Sequence, residues 1–188
     1  MHGRLQPDDF LAKALGALSD GPDCHSVLDQ LPVPLYTTDP SGLLTYSNSA
    51  AAELVGREPQ IGQDRWCVTS ELYGTTGERL PLDECPMAEA LRKREALRDR
   101  IAIAERPDGS RVAFRSYATP VINQDEELVG GVSILIDVTE EQSAFLAEQA
   151  DRCRRLADAT YDRATSSALG EMAESFTKVA QDLKQQQA

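Results

Sequence analysis

The stretch that most constrains this chain runs from Val33 to Val55. Two β-prone runs, Val33-Pro34-Leu35-Tyr36-Thr37-Thr38 and Leu43-Leu44-Thr45-Tyr46, stand on either side of Asp39-Pro40-Ser41-Gly42. Asp and Ser fold back on the local backbone, Pro fixes φ, and Gly accepts positive φ, so the tetrapeptide predicts a turn and the runs an antiparallel hairpin. Asn48 then leads into the Ala-rich segment Ser49–Val55, which Gly56 ends as a short helix. A hairpin followed at once by a helix commits the chain to an α+β class.

Further on, residues 57–86 hold many Gly and Pro residues and predict no regular element. Residues 84–97 predict a helix with Met87, Ala90 and Leu91 facing inward and Pro86 in its first turn. The period then becomes two. Ile101 and Ile103 alternate with alanines, Pro107-Asp108-Gly109-Ser110 turns the chain, and Val112, Phe114, Ser116 and Ala118 share one face of the next strand. Residues 123–127 form another turn before the strand Val129–Ile136. The pair Gly130-Gly131 inside that strand predicts a bulge or a close backbone approach. The strand closes on Asp137-Val138-Thr139-Glu140-Glu141. The expectation is five antiparallel strands.

Helices flank this unit. In residues 8–19, Phe10, Ala14, Ala17 and Leu18 fall on one stripe, as do Leu11, Leu15 and Leu18. Asp20-Gly21-Pro22 breaks that helix, and a short helical segment over 26–31 follows. From Glu140 the chain is polar and helix-prone, with a break at Tyr161-Asp162-Arg163. Leu169, Met172, Phe176, Val179 and Leu183 then form a heptad-like seam of only two repeats. It fits a hairpin folded on itself or a dimeric coiled coil. The organisation is a helical cap over 1–30, a central domain over 31–141 and a helical extension over 142–188.

The order of strand, Asp-Pro-Ser-Gly turn, strand, Asn-Ala helix and a closing Asp-x-Thr-Glu element resembles the PAS family of sensor domains over residues 31–141. The resemblance implies helices packed on one face of the antiparallel sheet. It also implies a ligand cavity on the variable helical side, with Trp66, Cys67 and Tyr73 as pocket candidates. Asp137 and Thr139 would fix the direction in which the exit helix leaves the sheet, and Thr139 could also serve as its N-cap.

Composition narrows the function. The net charge is −12 and no segment is net basic, which argues against a nucleic-acid partner. No apolar run is long enough to span a membrane and no signal peptide is evident, so a cytoplasmic protein with reduced thiols is expected. The four cysteines, Cys24, Cys67, Cys85 and Cys153, are too far apart for a metal knuckle. The two histidines, His2 and His25, both precede the PAS-like region. A phosphoacceptor histidine after the sensor, a histidine ligand for haem inside it and a Ser/His/Asp set are all missing, so no enzyme is expected. Light-oxygen-voltage relatives carry an Asn-Cys-Arg-Phe-Leu-Gln run around flavin. Here the nearest cysteine reads Asp64-Arg65-Trp66-Cys67-Val68-Thr69.

The expected function is a non-enzymatic sensory or interaction module of bacterial signal transduction, of the two-component type. It would sense a small molecule or a partner and signal to a kinase or regulator in trans. A homodimer is expected through Phe10, Leu11, Leu15 and Leu18 or through Leu169, Met172 and Phe176. The competing reading is a haem- or flavin-bearing redox, gas or light sensor using Cys67 or Cys85, the latter because Cys85-Pro86 resembles haem-regulatory motifs. The cofactor, if any, stays open.

Overall fold

The computed structural model describes residues 6–19 and 24–185, without the side chains of 17–19 and 24. Its elements are α1 (Pro7–Ser19), α2 (Cys24–Asp29), β1 (Leu35–Thr38), β2 (Leu44–Ser47), α3 (Ser49–Val55), β3 (Glu71–Tyr73), β4 (Arg79–Leu80), a 3-10 turn (Leu82–Glu84), α4 (Pro86–Lys93), β5 (Leu97–Glu105), β6 (Arg111–Ile122), β7 (Leu128–Asp137), α5 (Thr139–Ala159) and α6 (Arg163–Lys184).

The strands form one antiparallel sheet in the order β2-β1-β7-β6-β5-β3-β4. It has seven strands where five were expected. The two extra strands, β3 and β4, hold three and two residues and fall in the Gly/Pro-rich region. Runs that short show no alternation. β3 pairs with β5, which lays Tyr73 beside Ile103, and β4 pairs with β3 at the sheet edge.

Local chemistry accounts for the helix ends. Asn48 caps α3 by accepting from the Ala51 amide, and Gly56 closes it at φ 67°. Pro86 occupies the first turn of α4, whose N-cap is Cys85. This helix stops earlier than expected, because Arg94 turns left-handed at φ 54°. Asp162 accepts from the Thr165 amide at 2.7 Å and starts α6.

The period-two pattern gives two apolar sheet faces rather than one. On the inner face, Tyr36, Ala102, Ala104, Phe114, Ala118 and Leu135 pack under α3 and α4. On the outer face, α1 covers one half, where Phe10, Leu11, Ala14 and Leu28 meet Leu35, Val132 and Ile134. The other half is covered by α5 and α6, where Leu146, Val179, Ala180 and Leu183 meet Ile103, Ala113 and Val138. Helices α3 and α4 thus lie on one face, as expected, and the flanking helices take the other. The sheet is apolar on both sides.

That arrangement revises the interface candidates. Phe10 and Leu11 are core residues, and Leu15 packs against the same cluster. Leu18 lies outside the described side chains. The C-terminal seam folds as a hairpin, in which Phe176 packs against the outer cluster and Leu169 is half-buried. Met172 remains 48% exposed.

Candidate functional site

The site candidates centre on one corner of the inner core. Trp66 adopts φ 70°, and its amide donates to the Gly42 carbonyl at 2.7 Å. Its indole lies directly on the Gly42 backbone, where a Cβ would stand 2.1 Å from the ring. Gly42, itself at φ 83°, therefore serves both the turn and the close approach. The Trp66 carbonyl points inward and accepts from the Tyr36 hydroxyl at 3.1 Å and the Cys85 thiol at 3.3 Å. Cys67 follows in the chain and is buried in the same core cluster as Tyr36. Ser133, opposite Tyr36 in the β1–β7 register, is also buried, and its Oγ lies 3.1 Å from Ser116 Oγ.

Burial decides the protonation of this corner. Desolvation, with the neighbouring thiols adding to it, raises Tyr36 well above the ordinary phenol value. Desolvation also raises Cys67, and the same cause pushes Cys85 up to about 12. A helix N-terminus ordinarily favours a thiolate. At Cys85, burial outweighs the start of α4. Burial thus holds both thiols in the neutral form. Alkylation by iodoacetamide at neutral pH should accordingly leave Cys67 and Cys85 unmodified in the folded protein and modify both on unfolding. Rapid native labelling of either, read by peptide mass, would contradict this assignment.

A flavin or haem does not fit between α4 and the sheet as these residues pack. A Cβ at Gly131 would stand 2.6 Å from Met87 Sδ and 3.0 Å from Leu91, so the helix rests on the strand backbone. Leu72, Met87, Phe114 and Leu135 fill the neighbouring volume without exposed surface. Among the described residues no group of three or more His, Cys, Asp or Glu side chains is placed to hold a metal ion. Likewise, no described helix is long and apolar enough to cross a membrane.

The pocket candidates separate. Trp66 and Cys67 are brought together, but Tyr73 is not with them. Its register beside Ile103 turns it to the outer face, where it packs against the cluster under α6 and lies beneath the Arg111 guanidinium at 4.2 Å. A shallow recess of about 360 Å³ opens beside the β4 edge, lined by Leu72, Arg79, Leu80, Pro81 and Leu82 among others. Sequence reasoning missed Tyr36, although a tyrosine in a buried strand must find a partner for its hydroxyl.

At the sheet-to-helix junction, Asp137 Oδ1 accepts from the Thr139 amide at 2.9 Å and from the Thr139 hydroxyl at 2.7 Å. The Thr139 oxygen in turn accepts from the Ala113 amide of β6 at 3.1 Å. Thr139 is thus not the N-cap expected of it. Val138 holds that position, Asp137 supplies the capping oxygen, and Thr139 bolts the first turn of α5 to the sheet.

A family model described as the PAS domain matches residues 32–140. The chain belongs to the PAS domain family. No curated protein matches it. Among solved structures, this PAS domain is similar to an RNA-binding light-oxygen-voltage receptor at 20% identity and TM-score 0.51, over 79% of this chain and 40% of that one. It is also similar to the light-oxygen-voltage domain of a blue-light activated histidine kinase from Erythrobacter litoralis, at 24% identity and TM-score 0.46, over 58% and 98% of the two chains. A light-oxygen-voltage protein from Rhodobacter sphaeroides matches at 12% identity and TM-score 0.45, over 92% and 95%. At these identities the likeness concerns the fold alone.

Proposed function

We propose that this PAS domain is a non-enzymatic cytoplasmic sensory module with the α5–α6 hairpin as its output. A small ligand or a partner acting on the inner core is the input, and a signalling protein such as a kinase or regulator reads the hairpin. The observation that carries this reading is the junction, where Thr139 is bonded both to Asp137 at the end of β7 and to Ala113 on β6. A change in sheet geometry therefore acts directly on the first turn of α5. Where a second copy takes part, the half-covered side chains of Leu169 and Met172 are the available contacts, since Phe10 and Leu11 are buried within the chain.

The test is Asp137→Ala combined with Thr139→Ala. The lost cap and hydrogen bonds cost about 0.5–2 kcal/mol each, well below the roughly 5–15 kcal/mol of a domain. Cooperative melting of the sheet should persist while amide exchange rises across residues 139–159. A hairpin that exchanges at the wild-type rate in this variant would refute the output route.

A further inference from the structure

The segment between Cys67 and Cys85 connects the inner corner to the C-terminal half of α6. Both of its roots lie at one acceptor. Cys67 follows Trp66 directly, and Cys85 donates to the Trp66 carbonyl at 3.3 Å. Between the roots, β3 and β4 form a small hairpin at the β5 edge of the sheet, closed by the Gly74 amide on the Glu78 carbonyl at 2.8 Å.

This hairpin meets α6 directly at two places and reaches it at a third through Arg111 of β6. The Ser175 hydroxyl donates to the Thr76 carbonyl at 2.9 Å. Gly77, at φ 90°, lies so near the helix that a Cβ there would stand 2.9 Å from Val179 Cγ2. Tyr73 lies under Arg111, which donates to Asp182 Oδ2 at 3.0 Å and to Glu105 Oε2 at 3.0 and 3.1 Å. Ser175, Val179 and Asp182 are spaced by four and three residues, so the contacts follow one face of α6. The junction at Thr139 holds the start of α5, and this small hairpin holds the last turns of α6.

We propose that residues 67–85 form a strap coupling the Trp66 carbonyl to α6, so that input at Trp66 reaches the output through Thr76, Gly77 and Tyr73 as well as through the Asp137–Thr139 junction. The inference rests on the reading of α5–α6 as the output. Trp66 is the accessible end of the strap. Its indole is half-exposed on Gly42 while its carbonyl holds both roots, so a ligand or partner that moves the indole moves the carbonyl with it.

The experiment is a double-variant cycle read by amide exchange on the full chain. Tyr36→Phe removes the hydroxyl that holds the Trp66 carbonyl, and Ser175→Ala with Asp182→Ala cuts the polar contacts of the strap with α6. Tyr36→Phe alone should raise exchange over residues 171–184 by about threefold or more, the scale of one net hydrogen bond. In the background with the strap cut, that increment should vanish. An equal increment in both backgrounds would show that input travels by the junction alone and would overturn the strap. No increment in either background would overturn it as well. Should Tyr36→Phe fail to fold, Cys85→Ala removes the other donor to the same carbonyl and is read in the same way. Running Asp137→Ala with Thr139→Ala alongside separates the two ideas. A response of α5 there, with α6 deaf to the inner corner, retains the output reading and discards only the strap.

Discussion

Asn48→Ala should cost the domain about 3–5 kcal/mol, seen as a fall in denaturation midpoint with an unchanged slope. This buried side chain makes four hydrogen bonds. Its oxygen accepts from the Leu35 amide at 3.0 Å and the Ala51 amide at 3.1 Å, and its nitrogen donates to the carbonyls of Val33 at 2.9 Å and Leu28 at 3.4 Å. It thus joins α2, the entry to β1 and the first turn of α3. Alanine strips the Leu35 amide and the Val33 carbonyl of this partner, at about 1–3 kcal/mol each, and removes a helix cap as well, while the Leu28 carbonyl keeps the Leu31 amide and the Ala51 amide keeps the backbone carbonyl of residue 48. Asn48→Asp keeps the acceptor and loses the donors, so it should recover only part of the loss. A midpoint within error of wild type for Asn48→Ala would mean that water replaces the side chain.

Gly130→Ala should be as damaging for a different reason. A Cβ at residue 130 would stand 2.2 Å from the Thr38 carbonyl oxygen. That oxygen belongs to backbone paired across β1 and β7, and it has no rotamer by which to retreat. Relief requires separating the two strands at this end of their ladder, with a loss of about 3 kcal/mol or more. Gly109→Ala is the control. Its φ is 82° but nothing lies within 4 Å, so only local strain is added and the loss should be smaller. Thermal melts of the two variants should therefore be ordered, with Gly130→Ala far below Gly109→Ala. The reverse order would place the strain in φ rather than in the contact.

Much of this fold is legible where the determinants are local. The Asp39–Gly42 turn, the Asn48-to-Gly56 helix and the break at residues 160–162 are each written within a few residues. The Gly130-Gly131 pair also announces a close approach, which the structure locates at Thr38 on one side and Met87 on the other. What escapes the sequence is set by distant partners. Tyr73 reads as a pocket residue until its register with β5 turns it outward. The stripe of α1 shows that a face is buried, not that β7 is what buries it. Of the site itself, Trp66 and Cys67 stand out by residue type. Tyr36 does not, because only the closed fold brings its hydroxyl to the Trp66 carbonyl.

The strand order has a consequence for how the chain acquires this structure. β1 has two neighbours: β2, which follows it directly, and β7, the last strand, with Leu35 opposite Ile134. The first pairing closes a short loop. The second encloses nearly the whole domain, and such closures are slow because their entropy is lost before the contacts form. Helix α1 waits on the same event, since Val132 and Ile134 of β7 are part of its seat. During synthesis, Leu35 and the apolar side of α1 therefore stay uncovered until β7 has left the ribosome. The period of greatest exposure to aggregation or chaperone capture ends with the arrival of one strand, not by gradual accretion.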